Sequence, residues 1–428
     1  MTQRAIKRVA ILGGVLGIAA LAYLLGYSDR GKGSLVDLVK SVMAQNQDKP
    51  TITPTGQLRD PNVYYPGTEE LAADEMRVVA CGTGMPTARE SQAATCFLVE
   101  LGNGDKFIFD GGTGSGARIA SLHIPYEYLN KIFISHLHTD HFGDFGAYFI
   151  GGWVAGRQNP LHVYGPSGDR PETGTKYAID HWRAALTWDI EGRAGRLPPA
   201  GGEVVVHEFD FKAENAIIYQ ENGVTIRSWP ANHVIDGPVS FSLEWNGLKF
   251  VFGGDTYPNQ WYVEYAKGAD LAIHECFITV PDLIGKFGFS VSTALEVGTQ
   301  IHTAPPAFGK VMSLVKPRMA VAYHFFNDFD TAPSILAGIR STYDGPLTLA
   351  EDYMVWNVTK DVIRVRKVEF NPNAWPPPPP SAPPPVDRSI TKYTSDWIVQ
   401  KNLDVDDIVQ GIYDRANQMY GTDYSPGK

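Results

Sequence analysis

Four side chains that bind metals, His136, His138, Asp140 and His141, fall within six positions of the segment Ser135-His136-Leu137-His138-Thr139-Asp140-His141. The strand-like run Lys131 to Ile134 stands directly before them. A strand that ends in a tight loop can turn His136 and His138 toward one point. Asp140 and His141, at the start of a following helix, then face a second point about 3.5 Å away, the separation that two-metal hydrolytic sites use. Imidazole nitrogens with a carboxylate oxygen suit zinc, and manganese or iron stay open as alternatives. A histidine-rich surface loop is the competing reading, and it loses ground once the rest of the chain is read.

His233 in Pro230-Ala231-Asn232-His233, Asp255 in Gly253-Gly254-Asp255-Thr256 and His324 in Ala322-Tyr323-His324-Phe325 each follow a strand-like run. Taken singly, His233 or His324 reads more readily as a hydrogen-bonded structural histidine. In this order, HxHxDH, a distant His, a GGDT-like Asp and a final His, the set resembles the metallo-β-lactamase superfamily over residues 76 to about 360. The resemblance implies an α+β fold, a four-layer αββα sandwich with metals at one edge. It implies that His136, His138 and His233 hold one metal, that Asp140, His141 and His324 hold the other, and that Asp255 bridges both.

Two cations sharing a water lower its pKa from about 15.7 toward roughly 7, which makes hydroxide available at neutral pH, and the same cations neutralise the oxyanion formed on attack. Asp140 is both a ligand and the natural hydrogen-bond partner for that nucleophile. Two further motifs, Ile273-His274-Glu275-Cys276 and Ile301-His302-Thr303-Ala304, resemble the HEAT and HST motifs of the tRNase Z and arylsulfatase-like branch. That resemblance implies His302 as general acid toward the leaving oxygen and Glu275 as the group that orients it. Gly82-Thr83-Gly84-Met85-Pro86 and Phe109-Asp110-Gly111-Gly112 also look like that branch, where Asp110 would buttress a ligand histidine.

The departures bear on substrate. The tRNA-processing enzymes carry a long arm between the ligands that correspond to His233 and Asp255, whereas only twenty-one residues intervene here. The arginine that usually follows the last ligand histidine is replaced by Phe326-Asn327-Asp328. A net charge of −10 and a pI near 5.6 give no basic footprint for gripping nucleic acid. Tryptophans and arginines cluster instead between His141 and His233: Trp153, Arg157, Trp182, Arg183, Trp188, Arg193 and Arg196. They could line a pocket for an anionic or aromatic substrate, although tryptophans on helices more often belong to the core. Asp236, Tyr257 and Trp261 are further pocket candidates. Over its whole length the chain resembles the guanitoxin-biosynthesis metallo-hydrolases, through HLHTDHFGDF, SFSLEWNGLKFVFGGDTYPN and VAYHFFND, a label that names a gene neighbourhood more than a reaction.

The elements that must position these residues are legible as strand-like runs. MRVVAC, ATCFLVEL, KFIFD, KIFIS, LHVYG, EVVVHEF, VTIRSW, FSLEW, LKFVFGG and LAIHEC alternate with helical stretches between Met76 and Phe370. Asn222-Gly223 and Asn246-Gly247 each separate two such runs, a strong hairpin signal. So many antiparallel strands predict two β layers flanked by helices. The three cysteines, Cys81, Cys96 and Cys276, are too few for a disulfide framework and are expected as buried thiols, with a Cys81–Cys96 pair as the alternative.

Ala10 to Ser28 runs nineteen positions without a charge, directly after Arg4, Lys7 and Arg8. The pattern is that of an uncleaved membrane anchor, with a cleaved signal or a buried helix as alternatives. The chain therefore divides into an anchor or signal segment (1–28), a polar tether (29–72), a catalytic domain (73–370), a Pro-rich linker (371–387) and a C-terminal helical segment (388–428). In the last, Val405, Ile408, Val409, Ile412, Tyr413, Ala416 and Tyr420 trace one apolar stripe that Gly421 ends, either docked on the parent domain or open to a second copy.

The expectation is a hydrolase with two zinc ions (manganese or iron as alternatives) that acts on a sulfate ester, phosphodiester or similar small ester. It would sit in a bacterial envelope, anchored in the inner membrane with its catalytic domain in the periplasm, or free there after signal cleavage. The competing readings are a lactonase or β-lactamase-like amidohydrolase, a tRNA 3′-end endonuclease, and a metal-binding protein without turnover. Nucleic acid is disfavoured as a partner, and a homo-oligomer is left open.

Overall fold

The computed structural model describes residues 60–387, 389 and 394–426. The anchor or signal segment (1–28) and most of the tether lie outside the described residues. Among the described residues no helix is long and apolar enough to cross a membrane.

Among the described residues, sixteen strands form two sheets. The first contains β1 (Val63–Tyr64), β2 (Met76–Gly82), β3 (Cys96–Leu101), β4 (Lys106–Phe109), β5 (Lys131–Phe133), β6 (Leu161–Pro166), β7 (Val204–Phe209), β15 (Met354–Val358) and β16 (Ile363–Val368), in the order β1-β16-β15-β2-β3-β4-β5-β6-β7. The second contains β8 (Ala216–Glu221), β9 (Val224–Pro230), β10 (Val239–Trp245), β11 (Leu248–Phe252), β12 (Leu271–Glu275), β13 (Met319–Tyr323) and β14 (Leu347–Leu349), in the order β14-β13-β12-β11-β10-β9-β8.

The two-residue period of the strands divides their side chains between layers. In β2 and β3, Val78, Ala80, Phe97 and Val99 enter the core between the sheets, while Val79, Cys81, Cys96 and Leu98 point the other way, toward a layer that includes helix Thr175–Ala185. Behind the second sheet, helices Gln260–Tyr265, Pro305–Val315 and Ala332–Arg340 cover a third apolar cluster built around Trp229, Tyr262 and Phe308. The result is the αββα sandwich. All three cysteines are buried free thiols.

Two features depart from expectation. Of the fourteen strand pairs, seven are parallel, including the runs β4-β5-β6-β7 and β11-β12-β13-β14. Antiparallel pairing holds where Asn-Gly turns close hairpins: Asn222 and Gly223 have φ of 52° and 76°, and Asn246 and Gly247 have 51° and 76°, the left-handed pair a two-residue turn requires. Five further pairs are also antiparallel, and the parallel ladders between consecutive strands follow from helical crossovers. The second departure is β1, which lies inside the stretch read as tether yet pairs with β16. Arg366 fastens it by donating to the Val63 carbonyl (2.6 Å) and pairing with Glu69 (2.7 Å).

The Pro-rich stretch keeps no regular secondary structure, and Gln158 donates to the Ser381 carbonyl at 2.9 Å. Helix Asp406–Tyr420 ends at Gly421 in the left-handed conformation. Its stripe is not docked: Ile408 and Ile412 are 66% and 52% exposed.

Phe133 is fully buried between the sheets, stacked on Tyr164 (ring centroids 4.5 Å apart) and Phe109 (5.4 Å), with Phe241 edge-on. Phe133→Ala is expected to cost about 3–5 kcal/mol, read as a lower urea midpoint at unchanged slope.

Candidate metal centre

The parallel strands β4, β5, β11, β12 and β13 end at one edge of the sandwich, and the candidate residues follow those ends: Asp110 after β4, His136 to His141 after β5, Asp255 after β11, Glu275 closing β12 and His324 after β13. His233 arrives there from β9, just before β10 turns back. This is the edge at which open sheets with parallel strands place their ligands.

Two groups form. His136, His138, His233 and Asp255 place one donor atom each within 4.8 Å of one another, as do Asp140, His141, Asp255 and His324. Asp255 is common to both. Nε2 of His136 lies 3.1 Å from Nδ1 of His138, which lies 3.3 Å from Nε2 of His233. In the second group, Nε2 of His324 lies 3.1 Å from both Asp140 Oδ2 and Asp255 Oδ2, and Nε2 of His141 lies 3.2 Å from Asp255 Oδ1. Tetrahedral coordination with bonds of about 2.0 Å sets ligand atoms about 3.3 Å apart, so both groups have the spacing of ligand cages.

The buried polar atoms test the fit independently. His141 Nε2 and Asp255 Oδ1 have no hydrogen-bond partner, a costly state for buried polar groups unless something else pairs with them. Burial pushes His136 well below the ordinary imidazole range and His233 down to about 4, so both present lone pairs. Burial also disfavours a charged His141, but Asp255, Asp140 and Asp110 outweigh it and raise its pKa. Burial likewise opposes ionisation of Asp140 and Asp255, yet His141 and His324 hold both carboxylates well below their usual range. Imidazole nitrogens around ionised carboxylates form a donor set that fits two divalent cations.

The loop is held from behind. Asp110, fully buried and at a φ of 59°, accepts hydrogen bonds from the Ser135 amide (2.7 Å), the Ser135 hydroxyl (2.7 Å) and His141 Nδ1 (2.6 Å), which leaves His141 Nε2 facing the centre. Gly112 packs so closely that a Cβ there would lie 2.0 Å from the Asp140 carbonyl oxygen. Sequence reasoning missed the corresponding support of His324. That residue sits at a φ of 75°, a strained region for a non-glycine, and its amide donates to the Thr83 carbonyl at 3.0 Å. Thr83 is fixed by buried Asp352, which accepts from both its amide and its hydroxyl at 3.0 Å, while Gln92 donates to the same hydroxyl at 2.9 Å. No motif marks Asp352; only the tertiary structure joins it to the centre.

Beside the centre, Glu275 is fully buried; its Oε1 accepts from the Thr256 amide (2.6 Å) and its Oε2 pairs with His302 Nδ1 (2.8 Å). Phe277 stacks flat on the His302 ring, with centroids 4.1 Å apart. His274 stays apart, its Nδ1 on the Glu275 carbonyl.

The pocket candidates divide. Arg157 is not a substrate contact: it is buried and donates to the carbonyls of Tyr148, Phe149, Asn159 and Gly201. Trp153 is core, with Nε1 on the Pro198 carbonyl, and Trp182 packs on Phe142 and Phe145. Trp188 is 86% exposed, Arg193 pairs with Asp189, and Trp261 packs against the outer cluster of the second sheet. Asp236 does line a cavity that reaches His136, His138 and His233. Asp328 is not a free acid: Arg89 takes both of its oxygens, at 2.7 and 2.8 Å.

The metallo-beta-lactamase superfamily model matches residues 92–260. A ribonuclease Z of Mycobacterium marinum is 30% identical over 208 residues, which cover 46% of this chain and 70% of that protein. The chain belongs to the metallo-β-lactamase superfamily. Within that superfamily it falls in the ribonuclease Z-like branch: a second ribonuclease Z, from another Mycobacterium species, is 31% identical over 204 residues, 46% of this chain and 68% of that one. The crystal structure of the metallo-beta-lactamase fold protein YhfI from Bacillus subtilis superposes with a TM-score of 0.50 at 17% identity, over 67% of this chain and all of that one. This member of the superfamily is a metal-dependent hydrolase.

Asp140→Ala or His138→Ala should abolish hydrolysis while leaving the circular dichroism spectrum and the fold intact; undiminished turnover by either metal-loaded variant would remove these residues from the centre. Asp352→Asn should weaken metal affinity about 10–100-fold, the range for groups that orient ligands, measured by competition with a chelator.

Proposed function

We propose that this chain hydrolyses a phosphodiester bond in a small substrate, using two zinc ions, with His302 as the acid that releases the leaving group. The observation that carries this reading is the buried Glu275–His302 pair beside the clustered ligands, 2.8 Å between Oε2 and Nδ1. Bound cations would supply Lewis acidity and an acidified water. The chain's own residues do the rest. Burial lowers the His302 pKa, but Glu275 and then Asp255 overcome it and raise it to about 8, so the ring carries a proton at neutral pH. The Phe277 ring fixes its plane. Asp140 Oδ2 and His324 Nε2 lie within 3.1 Å, beside the point where a nucleophile must be oriented.

A proton donor matters where the leaving oxygen is a poor one, as in alkyl and sugar esters of phosphate, and much less for a lactone or β-lactam. Similarity to the mycobacterial ribonuclease Z proteins supports phosphodiester cleavage over sulfate ester cleavage. Against a transfer RNA substrate stand the single β10–β11 hairpin between His233 and Asp255 and the acidic balance of the chain. The basic flank before Ala10 to Ser28 supports a place at the cell envelope.

Purified protein loaded with zinc should hydrolyse bis-p-nitrophenyl phosphate well above an aryl sulfate or a lactone, and a chelator should stop it. His302→Ala should lose about 10²–10⁴-fold on an alkyl phosphodiester but far less on a p-nitrophenyl ester, whose leaving group needs no proton. On the alkyl phosphodiester, where the acid must be protonated, kcat/KM should fall as pH rises through about 8. Glu275→Gln removes the charge that raises that pKa, so the alkaline limb should move to lower pH.

A further inference from the structure

The cavity that opens from His136, His138 and His233 has a volume of about 250 Å³. That falls below the roughly 300–1,000 Å³ of pockets for drug-sized ligands, and it is room for one ring or short chain. Its wall has two characters. Leu137, Pro238, Val234 and Ile235 supply apolar surface, and Val234 and Ile235 remain 60% and 61% exposed although they directly follow a candidate metal ligand. Among the described residues, Glu172 and Asp236 are the charged side chains of the wall, both acidic, and no lysine or arginine contributes to it. Arg89, bound to both oxygens of Asp328, does not contribute to the wall either.

From this wall we infer that the second ester group of the substrate, the one retained on phosphorus, is apolar and carries no negative charge of its own. The inference rests on the phosphodiesterase reading and narrows it. Apolar area removed from water on Val234 and Ile235 favours an aryl or alkyl group seated there. The two carboxylates repel any further phosphate, as like charges do at short range. A polynucleotide, which carries a phosphate at every step, meets acid where it needs base. Cations held by the histidines and aspartates would attract the scissile phosphate, and the wall selects what is attached to it.

The test uses full-length, zinc-loaded protein and three diesters that share the p-nitrophenolate leaving group, so that differences report only the retained group: p-nitrophenyl phenyl phosphate, p-nitrophenyl methyl phosphate and the p-nitrophenyl ester of thymidine 5′-monophosphate. The phenyl ester should exceed the other two at least tenfold in kcat/KM. V234S/I235S should lose at least five times more on the phenyl ester than on the methyl ester, through KM. E172K/D236K should bind a trinucleotide, as a competitive inhibitor, at least fivefold more tightly than the parent. Equal turnover of the three diesters, preference for the thymidine ester, or equal losses in V234S/I235S would overturn the inference while leaving the phosphodiesterase reading intact. If no diester turns over, that reading falls instead, and calorimetric binding of phenylphosphonate against methylphosphonate still decides the preference of the wall: phenyl favoured supports it, parity overturns it.

Discussion

A single buried carboxylate, Asp110, sets the geometry of the centre. With no exposed surface and a backbone in the left-handed region, it holds the Ser135 amide, the Ser135 hydroxyl and His141 Nδ1 at 2.6 to 2.7 Å. An aspartate tolerates that conformation better than most residues, because its short side chain can bond locally. Burial pushes its own pKa up, working against the His141 and Ser135 contacts that favour its charge. Those contacts therefore form in a place where breaking one would leave a buried charge poorly paired, the expensive side of the balance. The loop cannot drift from Asp110 without that penalty, and the tautomer of His141 is fixed with its other nitrogen toward the centre.

From this point the wider fold follows as a requirement. Asp110 and His141 lie after neighbouring parallel strands, β4 and β5, while Asp255, Glu275 and His324 lie after β11, β12 and β13 in the other sheet. Parallel strands end on the same side, so two sheets packed face to face bring two rows of strand ends together along one edge. The packed core keeps those rows in place: Phe109 and Phe133 of the first sheet meet Phe241, Phe250 and Phe252 of the second in tilted and edge-on contacts. Densely packed interiors transmit small displacements instead of absorbing them, which suits a centre whose ligand atoms must stay near 3.2 Å apart.

Much of this was legible in the residues themselves. His136, His138, Asp140 and His141 are close in sequence and need only one loop to converge. The Asn-Gly turns announced their hairpins, since left-handed backbone at two successive positions selects those residues. The parallel ladders were not legible, because a buried strand reads the same whichever way its neighbour runs. Trp153 is in the core, the commoner place for a tryptophan on a helix, while Arg157 stayed open as a pocket residue because residue type alone does not show whether a guanidinium meets a ligand or four backbone carbonyls. Asp352 was invisible for a different reason. It acts on His324 through Thr83, across 269 positions of sequence, and neither its neighbours nor its spacing carries that relation.

The electrostatics of the centre and of its approach differ in sign, and the difference explains why one acid, Asp328, could be misjudged and another, Glu172, overlooked. Asp328 stands where a cationic clamp was expected, yet Arg89 neutralises it through both oxygens, and that hydrogen-bonded pair holds the Asp328 carboxyl below its usual range. The pair is half-exposed, so its contribution to stability is small; its effect is to remove both a free acid and a free base from that side. Glu172 and Asp236 have no such partner in the wall of the cavity. A substrate approaching past Val234 and Ile235 thus crosses an apolar, mildly acidic rim before it reaches a cluster built to bind cations. An anionic group gains there only at the centre, where charge is closest and least screened, and specificity arises from what the rim rejects as much as from what the centre attracts.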